Sequence, residues 1–144
     1  MKTIRWQLVM EGAGEYAAPF RSAEDVVADL VRREVPTSDR ERFVVYLLDV
    51  KHRPIAFETV SVGILDGSLI HPREVFKAAV AANAASILLA HNHPSGDPAP
   101  SGQDREVTRR LKEAGKLLGV PVVDHVIVGP RGDHFSFREK GDWS

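Results

Sequence analysis

Three short runs of the chain are apolar at almost every position: FVVYLLDV at 43–50, SILLA at 86–90 and PVVDHVIV at 121–128. A strand with one wet face alternates apolar and polar residues, whereas a strand buried on both faces does not. Such runs fit the inner strands of a sheet that is covered on both sides, so the rest of the chain must supply the cover. RSAEDVVADLVRREV (21–35) has helical spacing, with Val26, Val27, Leu30 and Val31 as its apolar face. Ser22 suits its N-cap, with Asp25 three positions on. A second helix starts at Pro72 and continues through REVFKAAVAANA. A third starts at Ser101, aligns Val107, Leu111, Ala114 and Leu118, and ends at Gly119.

The remaining segments are shorter. KHRP (51–54) turns the chain so that IAFETVSVG (55–63) returns as a hairpin partner of the first apolar run. Residues 3–10 set Ile4, Trp6, Leu8 and Met10 against Thr3, Arg5, Gln7 and Val9, which predicts a half-buried first strand. ILDGSLI (64–70) reads as a short irregular or extended piece, GPRGD (129–133) as a turn and HFSF (134–137) as a last strand. The run at 86–90, the loop 91–100, the third helix and the run at 121–128 make one strand–loop–helix–strand unit. The predicted fold class is α/β, a mixed sheet flanked by helices, in one domain over 1–144. A chain of 144 residues is long enough to bury a sizeable core.

Composition narrows the chemistry. The chain has no cysteine, which excludes disulfides, thiolate catalysis and cysteine-ligated zinc. Its net charge is −1, with none of the basic excess that marks a nucleic-acid partner. Polar residues interrupt the apolar positions of MKTIRWQLVMEG, so it is no signal peptide, and no apolar run approaches the ~20 residues of a membrane span. The expected location is the cytoplasm, without membrane contact.

The chemistry-bearing stretch is LAHNHPSGDPAPSGQD, 89–104. If the backbone stays extended past the strand, His91 and His93 point the same way. Asp104 then lies in the first turn of the next helix, and Pro94, Pro98 and Pro100 stiffen the connection. Two imidazoles and one carboxylate leave a fourth tetrahedral position open, as in a catalytic zinc site. Blander readings remain at this point. Ser101 and Asp104 have capping-box spacing, with Asp in place of Glu, and on their own could simply start the helix. The partial positive charge of a helix N-terminus also opposes a cation there. Asp124 and His125 sit mid-strand in apolar company, either as a satisfied core pair or as support that orients a metal ligand. His52, His71 and His134 read as surface residues near turns.

HNHPSGDPAPSGQD resembles the JAMM motif of MPN-domain metalloproteases: His-x-His, seven residues, Ser, two residues, Asp. The segments HPREVFKAAVAANAASILLAHNHPSGDPAPSGQD and LLGVPVVDHVIVG are similar to the RadC branch of that family. The similarity covers about 38–140, and it is to a short form without the N-terminal helix-hairpin-helix region that many RadC proteins carry. The resemblance implies a fold related to the cytidine deaminases and zinc held by His91, His93 and Asp104. Ser101 would steady the tetrahedral intermediate, and an upstream glutamate would be the general base. Its position before an apolar strand nominates Glu41, with Glu58 and Glu74 as rivals; Glu74 also suits the first turn of its helix. The implied reaction is zinc-dependent hydrolysis of a peptide or isopeptide bond, with a protein or peptide substrate, a ubiquitin-like tail among the candidates. The resemblance leaves room for a homodimer.

Two other functions compete. One is a metal-dependent DNA-processing protein, against which the near-neutral charge argues. The letters HNH are not the dispersed triad of an HNH nuclease. The other is a non-catalytic scaffold, as some MPN domains are, although such scaffolds usually lose ligands that this chain keeps. Deamination lacks its Pro-Cys-x-x-Cys ligands.

Overall fold

A computed structural model of the chain describes residues 1–12, 17–63 and 70–143. The elements are α1 (Ala23–Arg32), β1 (Arg42–Leu48), β2 (Pro54–Val62), α2 (Pro72–Ala81), β3 (Ser86–Asn92), α3 (Gly102–Leu118), β4 (Val122–Val128) and β5 (His134–Ser136). The strands form one mixed five-stranded sheet in the order β2-β1-β3-β4-β5. β3 and β4 are parallel, joined through α3, and the other neighbouring pairs are antiparallel. The three apolar runs occupy the three inner positions, and β2 and β5 take the edges.

Strand alternation divides the core in two. Phe43, Val45, Leu47, Ile87 and Leu89 face α2 and α3, packing on Val75, Phe76, Ala79, Val107 and Leu111. Val44, Tyr46, Leu48, Leu88, Ala90, Val126 and Val128 face α1, packing on Ala23, Val26, Val27 and Leu30. Each large apolar side chain so buried contributes about 1.5–3 kcal/mol. The buried stripe of α1 therefore starts at Ala23 and excludes Val31, which is exposed, as is Leu118 at the end of α3.

One predicted element is absent. Residues 3–10 form no strand; 1–12 are exposed and without regular structure. Period-two alternation says that a strand would have an apolar face, not that a sheet edge is available to pair it. Here helices already cover both faces of the sheet, and Ile4 and Trp6 remain in solvent. The predicted irregular piece at 64–70 lies, apart from Ile70, outside the described residues. No helix among the described residues is long and apolar enough to cross a membrane.

Candidate metal centre

β3 runs two residues beyond the apolar run at 86–90, through His91 and Asn92. Pairing holds it extended: His91 lies opposite Phe43 of β1 and Ile127 of β4, and His93 N donates to Val128 O at 2.9 Å. His91 therefore follows Leu89 on the α3 side of the sheet, and His93 follows His91. α3 starts where Ser101 closes a capping box: Asp104 N donates to Ser101 Oγ (3.0 Å), and Ser101 N donates to Asp104 Oδ2 (2.8 Å). The cap turns the Asp104 carboxylate back toward the strand end. His91 Nε2 lies 3.0 Å from His93 Nε2 and 3.2 Å from Asp104 Oδ1, and His93 Nε2 lies 3.1 Å from Asp104 Oδ2. His91 and Asp104 are buried and His93 is partly so.

This donor set suits a cation. The Nδ1 atom of each imidazole is engaged outside the cluster, that of His93 by Asp97 O (2.8 Å) and that of His91 by His125 Nε2 (2.7 Å). The two Nε2 atoms and the carboxylate are left to converge. Burial raises the Asp104 pKa, but the His91 and His93 imidazoles and the Ser101 amide outweigh it and hold the carboxyl far below its ordinary range. Asp104 in turn raises the His93 pKa against the effect of burial, helped by the Asp97 carbonyl and the Glu41 carboxylate. Among the described residues, His91, His93 and Asp104 are the group whose ligand atoms, all within 4.8 Å of one another, could hold a metal ion. Two imidazoles and a carboxylate, with no sulfur, are nitrogen and oxygen donors of the kind that bind divalent metal ions.

The connecting loop is fixed from two sides. Gly96 takes a φ of 110° in the turn after His93, closed by Gly96 N donating to His93 O (3.1 Å). The turn after β4 packs against it at Gly129, where a Cβ would lie 2.7 Å from Gly96 O and 2.6 Å from Asp133 Oδ1. The GPRGD turn is therefore a buttress for the ligand loop.

The other candidate residues separate clearly. Glu41 immediately precedes β1 and acts electrostatically on His93. Glu58 lies mid-β2 opposite Val45, where burial raises its pKa and its charged neighbours are Lys77 and Glu74. Glu74 is exposed and pairs with Lys77 at 2.8 Å. His125 reaches the cluster through His91. Asp124 points to the α1 face and bonds elsewhere: it accepts from Ser136 Oγ (2.5 Å), from Arg138 N (3.1 Å) and from His125 N (2.7 Å). It ties β4 to β5 and its following turn, so of the two mid-strand residues only His125 touches the His91, His93 and Asp104 cluster. His52, His71 and His134 lie outside the cluster.

Two residues of the surroundings gave no sequence signal. Asn92, fully buried, accepts from Arg42 N (2.7 Å) and donates to Arg40 O (3.0 Å), which pins the segment carrying Glu41 to the end of β3. Thr108, buried on α3, bonds both to Asp104 O and to His125 Nδ1. The partners of Asn92 lie 50 and 52 positions away, and Thr108 meets His125 17 positions on, so only the fold brings these contacts together.

A model of the RadC-like JAB domain family matches residues 20–142, which includes α1 and leaves out the segment predicted as a first strand. A UPF0758 protein of Caldanaerobacter subterraneus subsp. tengcongensis is 54% identical over 120 residues, covering 83% of this chain and 51% of that protein. One from Rubrobacter xylanophilus is 53% identical over 123 residues, covering 85% and 53%. One from Thermotoga maritima is 54% identical over 110 residues, covering 76% and 49%. The chain spans about half the length of these relatives, whose names state no activity.

Proposed function

Because the chain belongs to the RadC-like JAB domain family, we propose that it is a zinc-dependent hydrolase of peptide or isopeptide bonds in a protein substrate. The observation that carries this reading is the convergence of His91 Nε2, His93 Nε2 and the Asp104 carboxylate at the end of β3. These three residues would hold the ion. Bound there, zinc would supply Lewis acidity, of the kind that lowers the pKa of water to roughly 7 and polarises a carbonyl. Glu41 would take the proton of the attacking water and return it to the departing amine. Its position next to β1, pinned through Asn92, supports that role. Ser101 Oγ accepts the helix-capping amide and keeps its own O–H, which would donate to the carbonyl oxygen as charge develops.

The test has two parts. Elemental analysis of protein reconstituted with zinc and desalted should find one equivalent per chain, lost in His91→Ala. The zinc-loaded protein should then cleave linear or branched ubiquitin-like fusions, and a chelator should stop it. Failure to retain zinc would end the reading. Zinc retention with cleavage of single- or double-stranded DNA instead would keep the metal centre and replace the substrate.

A further inference from the structure

We propose that Thr108 and His125 are positioning residues that fix His91 in the tautomer with its proton on Nδ1 and its lone pair on Nε2. The inference rests on the reading of His91, His93 and Asp104 as a metal site and adds a device that prepares one of its ligands. The direction of a chain of hydrogen bonds carries it.

The chain is anchored at the main-chain carbonyl of Asp104, which has no proton to give. Thr108 Oγ1 lies 2.6 Å from that oxygen, so its single hydroxyl proton is committed there. The same Oγ1 lies 2.6 Å from His125 Nδ1. With no second proton on the hydroxyl, the nitrogen must be the donor. His125 is fully buried and neither of its ring nitrogens bonds a carboxylate, Nδ1 meeting Thr108 Oγ1 and Nε2 meeting His91 Nδ1, so the imidazole carries one N–H rather than two. Its Nε2 is therefore an acceptor. That Nε2 lies 2.7 Å from His91 Nδ1, which must then carry the proton. The atom left with a lone pair is His91 Nε2, the one that faces His93 and Asp104.

Aromatic neighbours pack against both rings in this arrangement. His125 stacks on Phe137 with centroids 5.1 Å apart and meets the edge of Phe43 at 5.6 Å. Phe43 in turn stacks on His91 at 5.9 Å. Asp104 thus enters the site twice, through its side chain as a ligand and through its main-chain oxygen as the fixed end of the relay. A neutral imidazole free of such a partner can put its proton on either nitrogen, and an Nε2–H tautomer removes His91 from the ligand set.

Long-range proton–nitrogen NMR of the metal-free, histidine-labelled protein at about pH 8 reads the tautomer directly. Wild type should show His91 and His125 with the proton on Nδ1. Thr108→Val, which keeps the shape and removes the hydroxyl, should move His91 toward Nε2–H. It should also weaken zinc binding by roughly 10–100-fold, measured by competition with a chromophoric chelator. Thr108→Ser should restore both readouts, which a purely structural role for Thr108 would not require. A wild-type His91 with its proton on Nε2 overturns the proposal, as does a folded Thr108→Val protein with unchanged tautomer and affinity. If Thr108→Val fails to fold, the wild-type spectrum decides alone. If wild type holds no zinc, the metal reading fails while the tautomer measurement still judges the relay.

Discussion

Ser101 Oγ accepts the Asp104 amide and, in the proposed reaction, also donates to the substrate oxygen. Its two roles separate by substitution. Ser101→Ala should cost about 1 kcal/mol of stability in urea unfolding, whereas glycine at an N-cap costs only a few tenths. Both variants lose the hydroxyl, so turnover should fall about 10²–10³-fold in each, the scale of a lost oxyanion donor. Equal turnover to wild type would leave Ser101 as a cap alone. At Glu41, the Gln variant keeps the shape but cannot take a proton. Zinc content and fold should persist while activity drops roughly 10²–10⁴-fold. Full activity in Glu41→Gln with a dead Glu58→Gln or Glu74→Gln would move the base to another residue. Activity in all three would remove the proton shuttle from the mechanism.

Between elements, α1 meets β1 through a buried polar contact. The Asp29 carboxylate accepts from Tyr46 Oη (2.7 Å) and Arg33 Nε (2.6 Å) and also pairs with Arg32. Burial pushes the Asp29 pKa up, but Tyr46 and the two arginines outweigh it and hold it below its ordinary value. A depressed folded-state pKa stabilises the protein above the unfolded value of about 3.9, and that contribution is lost as pH falls through the lower folded value. Tyr46→Phe should therefore cost about 1.5–3 kcal/mol near neutrality. The difference from wild type should shrink in unfolding curves taken below about pH 4. Between α3 and α2 the close approach is at Gly115, where a Cβ would lie 2.6 Å from Val120 O and 3.2 Å from Phe76 Cζ. Gly→Ala inside an exposed helix gains about 1 kcal/mol. Here it should instead destabilise by about 1–3 kcal/mol, since main chain blocks the methyl. The helix and strand assignments were legible because one-faced and two-faced apolar patterns report burial locally. Residues 3–10 misled because alternation says nothing about whether a partner edge exists. β3 extends two residues past its apolar run because pairing to β1 and β4 keeps His91 and Asn92 extended, although their polarity looks like loop. The clustering of His91, His93 and Asp104 was legible as a motif with fixed spacing. Asn92 and Thr108 were not, since their roles come from residues that only the fold brings near.

For the molecule as a whole, a ligand bound only by the folded state adds stability by mass action, about 2.7 kcal/mol at 100 times its dissociation constant. At roughly 2–4 °C per kcal/mol for a chain of this size, zinc should raise the melting temperature by roughly 5–11 °C. The chelator should reverse that rise, and His91→Ala should show none of it. The sheet order carries a further consequence. The triad arises within β3, its loop and the start of α3, whereas Glu41 belongs to β1 and is held to β3 by the Asn92 amide. If the proposed reaction holds, loading and turnover would fail independently: a preparation whose β1 entry segment has come adrift would still weigh in with a full complement of zinc and yet be inert. Asn92→Ala should produce that state, with metal stoichiometry near one and greatly reduced activity, so metal content is no surrogate for the active fraction.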